Sequence, residues 1–117
     1  MGRLAKGYSD DDFKAMAAFF DGQPWSSVPQ QVDAALAEKG QKIHEEKCSV
    51  CHLDNGRYTE YTLPRLAGQW LEYLEIQMHE YKTREPRMAQ PKLMRVMMDS
   101  LAPDDLTALA NFYAGQK

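Results

Sequence analysis

One five-residue run constrains this chain more than any other, Cys48-Ser49-Val50-Cys51-His52. A Cys-x-x-Cys-His run is typical of a site where a c-type haem is covalently attached. Because the two thiols lie three residues apart, one helical turn can present both to the same edge of a porphyrin. The adjacent imidazole can then bind the iron from the proximal side. The run therefore predicts that Cys48 and Cys51 hold one haem c and that His52 is an iron ligand.

The same pair of cysteines is also compatible with a redox dithiol or with half of a zinc site. A thioredoxin-type dithiol belongs to a βαβ pattern, and no strand pattern precedes Cys48. A structural zinc site needs four ligands, whereas this sequence adds only His44 and His79 to the run. Haem attachment is the favoured interpretation. We interpret His44 as a packing or helix-surface residue, because His52 already fills the proximal position.

Length and charge limit the function classes that remain. The chain has 117 residues and a formal net charge of −3. This length suits one compact domain, and the charge does not predict a nucleic-acid partner. No apolar run approaches membrane-spanning length. Since no cleavable signal peptide is visible and c-type haem is attached outside the cytoplasm, we expect a mature product or a fragment.

Apolar periodicity predicts an all-α fold. The expected helices lie between a Ser9 cap and Gly22, over about 30–47, over about 70–83, and from Pro103 to Gly115. Gly40 falls inside the second helix, where it costs roughly 1 kcal/mol relative to alanine. We therefore expect the last helix to cross closely at Gly40, near Phe112 and Tyr113.

The two ends of the chain match one another at a constant offset of 93 residues, from Met1 and Met94 onward. The matched pairs include Asp11 with Asp104, Asp12 with Asp105, Phe13 with Leu106, Phe19 with Phe112, Phe20 with Tyr113, Gly22 with Gly115 and Gln23 with Gln116. The register has no gap, which favours a true repeat. It predicts that residues 1–23 are the remnant of a first domain, 24–31 a linker and 32–117 a complete domain.

The haem motif, the run Leu63-Pro64-Arg65-Leu66-Ala67-Gly68-Gln69 and the last helix resemble class I cytochrome c over about residues 32–117. Local similarity is greatest to the cytochrome subunit of flavocytochrome c sulfide dehydrogenase, which has two haem domains. Residues 1–10 resemble the distal-methionine stretch of the first of these. Because no earlier Cys-x-x-Cys-His run is present, the first haem is expected to be absent from this chain.

The resemblance implies a class I cytochrome c fold and a periplasmic, non-catalytic electron-transfer subunit. Its partners would be an FAD-containing sulfide dehydrogenase and a downstream electron acceptor. The resemblance also implies that the Pro64 carbonyl accepts a hydrogen bond from His52. Met94 is the first candidate for the distal iron ligand because it is the repeat partner of Met1. Met88 is the alternative, and Met16, Met78, Met97 and Met98 are interpreted as core.

Two other functions remain open at this stage. A free monohaem cytochrome c would act as a soluble electron shuttle without a stable partner. A peroxidase would be an enzyme and would need an open distal position on the iron.

The N-terminal unit carries an apolar face that includes Phe13, Met16 and Phe20. We expect this face, with Trp25 of the linker, to pack on the chain's own haem domain. Contact with the flavoprotein is the alternative.

Overall fold

The computed structural model describes residues 2–60, 62–83 and 90–117. Within these residues the chain forms helices in the order α1 (Gly2–Ala5), α2 (Asp10–Asp21), α3 (Ala34–Ile43), α4 (Leu53–Gly56), α5 (Leu71–Thr83), α6 (Lys92–Asp99) and α7 (Pro103–Ala114), with a π-helical turn (His44–Cys48) directly after α3. In the same part of the chain the only bridge is an isolated pair, Glu60 with Leu63. The all-α prediction is confirmed.

The core forms where α3 and α5 pack on α7. In helix α7 every residue of the last two turns, 108–114, is buried. Gly40 is the point of closest approach, because a Cβ atom there would overlap the carbonyl oxygen of Ala108 and lie 2.8 Å from the Cβ of Phe112. The predicted crossing is confirmed, and its centre lies at Ala108 and Phe112 rather than at Tyr113.

Helix α3 is shorter than the 30–47 span that the periodicity predicts. It begins after Asp33, whose carboxylate caps it by accepting a hydrogen bond from Leu36 N at 2.9 Å. Asp33 N donates in turn to the side chain of buried Asn111 at 2.9 Å, so α7 positions the start of α3. At the other end the chain widens into the π-helical turn, where Ser49 N donates to His44 O at 2.8 Å.

Helices α2 and α7 match one another in length and in individual hydrogen bonds. Helices α2 and α7 both have 12 residues, and both their starts and their ends differ by 93 positions. Ser9 N donates to Asp12 as Ala102 N does to Asp105, at 2.8 and 3.0 Å. Past the helix ends, Gln23 and Gln116 each donate from the side chain to a backbone carbonyl four residues earlier, at 3.0 and 3.1 Å.

The surroundings of the two helices differ completely. Helix α2 has no buried residue, and Phe13, Met16 and Phe20 are 42%, 37% and 69% exposed. The expectation that this face packs on the haem domain is therefore wrong, and so is the interpretation of Met16 as core. Trp25 is 45% exposed but does contact the domain, because the Arg65 guanidinium lies 4.9 Å from its ring centroid.

Hydrogen bonds connect the second half of the linker to the haem domain. Val28 N donates to Gly68 O at 3.0 Å. The side-chain amide of Gln30 donates to Gln69 O at 2.7 Å and accepts from Leu71 N at 2.8 Å. These bonds hold the segment that leads into α5. None of the helices in the described part of the chain is both long and apolar enough to cross a bilayer.

Candidate haem-attachment site

The π-helical turn places Cys48 at the edge of the core, and the three residues after Ser49 complete the run. Cys51 N and His52 N both donate to Cys48 O, at 3.2 and 2.9 Å, so a single tight turn carries all three side chains. Cys48 is half-buried and Cys51 is exposed, and both are free thiols. Burial raises the pKa of the Cys48 thiol, and its interaction with Tyr113 lowers that pKa by less.

The His52 ring has the properties of a metal ligand. Burial lowers the pKa of His52, as does neighbouring His44 to a smaller extent, and both effects favour the neutral ring that binds iron. Its Nδ1 atom is buried and has no hydrogen-bond partner among the described residues. Two thiols and a neutral imidazole with an unpaired buried nitrogen, all on one turn, fit a covalently attached haem.

The hydrogen bond that the resemblance implied from His52 to the Pro64 carbonyl is not formed within the described part of the chain. The rotation of an imidazole depends on what surrounds it, and sequence spacing does not fix that rotation. The role of His52 as iron ligand stays a prediction, whereas the expected acceptor role of Pro64 is not seen in this structure.

His44 is buried, at 2% exposure, and it is not on the helix surface. Its Nδ1 lies 2.8 Å from the hydroxyl of Tyr113, which is equally buried. Burial lowers the pKa of His44, with a smaller opposing effect from Glu45, which favours a neutral ring hydrogen-bonded to the hydroxyl. The Tyr113 ring also packs edge-on toward His52, with a centroid separation of 6.5 Å. Sequence reasoning interpreted His44 as a packing or helix-surface residue. It did not identify Tyr113 as the partner of His44, which connects α7 to the segment before the haem motif.

Replacing Tyr113 with phenylalanine is expected to lower the free energy of unfolding by about 1–3 kcal/mol, because the buried Nδ1 of His44 would lose its partner. The double variant with His44→Phe should recover much of this loss, since it leaves neither polar atom unpaired. Chemical denaturation of the haem-loaded proteins measures both effects. If Tyr113→Phe were as stable as the parent protein, His44 would not depend on the hydroxyl.

The short element α4 after His52 is a left-handed turn and not a regular right-handed helix, because the backbone at Asp54 and Asn55 is non-helical. Asp54, Asn55 and Gly56 all have positive φ values, of 50°, 54° and 80°. A Cβ at Gly56 would lie 2.9 Å from the Tyr113 ring. The Gly56 carbonyl accepts from both Leu66 N and Ala67 N, at 2.9 and 3.0 Å. This turn therefore holds the 63–67 segment beside the haem motif.

The methionines differ in burial, and Met97 is half-buried. Met98 is buried, and Met78 and Met94 are half-buried against the same core. Met94 lies on α6, which packs beside α5. Met88, the alternative distal ligand, lies outside the described residues. The choice of Met94 as distal ligand remains a prediction.

Two further observations bear on other kinds of site. A groove on α5 contains none of the predicted site residues and is lined by Glu75, Ile76, His79, Glu80 and Thr83. Among the residues that the structure describes, no three His, Cys, Asp or Glu side chains are grouped so that they could hold a metal ion.

Comparison with known proteins agrees with this site. The family model described as cytochrome c matches residues 37–115, which include the Cys-x-x-Cys-His run and all of α7. The crystal structure of reduced recombinant cytochrome c4 from Pseudomonas stutzeri matches with a TM-score of 0.80 and 27% identity, over 97% of this chain and 64% of that chain.

Two relatives identified by sequence are also electron-transfer proteins by name. The thiosulfate dehydrogenase electron acceptor of Stutzerimonas stutzeri is 27% identical over 125 residues, which cover 97% of this chain and 58% of that protein. Cytochrome c4 of Pseudomonas aeruginosa is 33% identical over 70 residues, which cover 60% of this chain and 33% of the relative. The chain thus spans less than two thirds of the length of these proteins.

Proposed function

The chain belongs to the cytochrome c family, and from this premise we propose that it accepts electrons from a flavoprotein sulfide dehydrogenase. The coarser function, electron transfer by a covalently bound haem c, follows from the family itself. The finer proposal is supported by the local similarity to the cytochrome subunit of flavocytochrome c. It is also supported by a relative that is named as the electron acceptor of a dehydrogenase acting on a reduced sulfur compound.

One observation carries the electron-transfer function, namely the turn that presents two free thiols and a neutral, half-buried imidazole together. The haem, when bound, supplies a one-electron carrier. Cys48 and Cys51 would hold the porphyrin through thioether bonds, and His52 would bind the iron. Met94, the repeat partner of Met1, is proposed as the second iron ligand. A thioether ligand would raise the reduction potential and fill the position that a peroxidase needs open.

The domain organisation is part of the same proposal. We infer that residues 1–23 are the end of a first cytochrome c-like unit, 24–31 the linker and 32–117 the haem domain. The matching hydrogen bonds of α2 and α7 support this division, as does the contrast between exposed α2 and buried α7. The periplasm is the proposed location, because haem is attached to such chains outside the cytoplasm.

Anaerobic reduction kinetics test the partner. The haem-loaded protein is mixed with an FAD-containing sulfide dehydrogenase and sulfide, and the visible spectrum reports haem reduction. We expect reduction that saturates with dehydrogenase concentration and that requires sulfide. A small-molecule reductant confirms separately that the haem can be reduced. Reduction only by a thiosulfate dehydrogenase with thiosulfate would favour the second candidate partner, which the name of one relative suggests. Reduction by neither would leave the free shuttle as the function.

Deletion of residues 2–23 is expected to change the free energy of unfolding of the haem domain by less than about 0.5 kcal/mol, because no side chain of α2 is buried. If the N-terminal unit contributes to the partner interface, the same deletion should weaken assembly with the flavoprotein. Thermal denaturation and a binding titration measure the two effects. A clear loss of stability would contradict the first expectation. Unchanged assembly with the flavoprotein would contradict the second.

A further inference from the structure

The side chain of Lys82, in the last turn of α5, reaches across to the end of α6. Its Nζ donates to three backbone carbonyls, those of Met98, Asp99 and Leu101, at 2.8, 2.9 and 2.9 Å. An ammonium group has three protons to donate, so all of its donors are used here. These acceptors lie where α6 ends, beside carbonyls that the last turn of the helix leaves exposed, and Met98 O also accepts from Leu101 N at 3.2 Å. A cation at this position also interacts favourably with the negative end of the helix dipole.

The Lys82 hydrogen bonds connect α5 and α6, which otherwise share a small contact. The same end of α6 receives a second lysine, because Lys47 Nζ lies 3.5 Å from Ser100 O and 3.4 Å from Ser100 Oγ. Lys47 belongs to the π-helical turn that precedes the haem motif. At the other end of α6, Gln90 donates from its side chain to Tyr81 O at 2.8 Å. Helix α6 is thus tied to α5 at both ends, by adjacent residues of α5.

Met94 lies between these two ties, near the middle of α6. Its side chain is half-buried against the core and Met98 on the same helix is buried, whereas Leu93 and Val96 are 71% and 58% exposed. The face of α6 that packs on the core is therefore narrow, and the hydrogen bonds at its ends add to that packing in fixing its position and rotation. The position and rotation of α6 determine where the Met94 thioether points.

We propose that Lys82 is a positioning residue for the distal iron ligand: its three hydrogen bonds hold α6 so that Met94 stays on the iron. The inference rests on the proposed function, and specifically on Met94 as the distal ligand. It assigns to Lys82 a role that neither the haem motif nor the helix periodicity indicates. Without the ammonium group, the helix end would be released and an external ligand would displace the thioether more easily.

The test uses the full-length, haem-loaded ferric protein and the variant Lys82→Met, which keeps the length of the side chain and removes its donors. Two quantities are measured under conditions where the protein is fully folded. These are the intensity of the methionine–iron charge-transfer band and the affinity of free imidazole for the iron. We expect a weaker band and about three- to tenfold tighter imidazole binding, where tenfold corresponds to about 1.4 kcal/mol. Lys82→Arg, which keeps a charged donor, should restore most of the parent behaviour.

The matched control is Lys42→Met, which makes the same change at an exposed lysine that pairs with Glu38 on α3. It should leave both the band and imidazole binding unchanged. If Lys82→Met does not fold, Lys82→Gln is measured in its place. Unchanged imidazole affinity in Lys82→Met, or in the Lys82→Gln that replaces it, would overturn the positioning role, and so would an equal change in Lys42→Met.

A separate variant distinguishes failure of this inference from failure of its premise. Met94→Ala should abolish the charge-transfer band if Met94 is the distal ligand. A band that survives in Met94→Ala, and is lost in Met88→Ala, would overturn the assignment of Met94 and the proposal for Lys82 with it. Loss of the band in Met94→Ala together with unchanged behaviour of Lys82→Met would overturn the Lys82 proposal alone.

Discussion

Replacing Gly40 with alanine is expected to lower the free energy of unfolding by about 1–3 kcal/mol, although alanine is the better helix former. The added methyl would overlap the carbonyl oxygen of Ala108 and lie 2.6 Å from its carbonyl carbon. A backbone atom cannot turn aside as a flexible side chain can. Helices α3 and α7 would therefore have to separate, and most of the core lies at their contact. Chemical denaturation of the haem-loaded protein measures the loss.

Gly22→Ala is the matched control for this experiment. Gly22 follows α2, and a Cβ there would make only ordinary contacts, the nearest at 3.5 Å to Ala18 O. The variant should be close to the parent protein in stability. Equal stability of Gly40→Ala and the parent would show that the helices do not cross as closely as described.

Replacing both Cys48 and Cys51 with serine is expected to abolish covalent retention of haem. Each single replacement should leave one thioether link, because the two thiols are separate attachment points on one turn. After denaturation and extraction of non-covalent haem, mass spectrometry reports the fraction of chains that keep the group. A pyridine haemochrome assay on the parent protein should give one haem per chain, since the sequence has one motif and no spare cysteine.

Ser49→Ala serves as the control within the same run. It removes only the hydrogen bond from the Ser49 hydroxyl to Glu45 O at 2.9 Å, so both thioether links should form. Covalent haem in the double serine variant, or two haems on the parent chain, would contradict the assigned attachment site.

The sequence alone was sufficient for features that depend on neighbouring residues. The haem motif is recognised from five consecutive residues. The bounds of α2 and α7 follow from the cap at Ser9, the proline at Pro103 and the closing glycines, because such signals act within a turn or two of the backbone. The close crossing at Gly40 was also predictable, since a glycine inside a helix is costly without a packing reason.

Side-chain partners from distant parts of the chain required the tertiary structure. The bond between His44 and Tyr113 joins residues 69 positions apart. The three carbonyls that Lys82 binds become a single target only where α6 ends beside α5. Both depend on the angle and the separation of packed helices, and neither leaves a pattern in the local sequence.

Helices α2 and α7 show, within one chain, the difference between what local sequence determines and what tertiary packing decides. They share a residue pattern, a length and their capping hydrogen bonds, so the sequence determined that both are helices. Their environments are opposite, because α7 is packed against α3 and α5 while α2 is exposed along its whole length. An apolar stripe in the sequence indicates that a helix can be buried. Only the tertiary structure decides whether another element covers it.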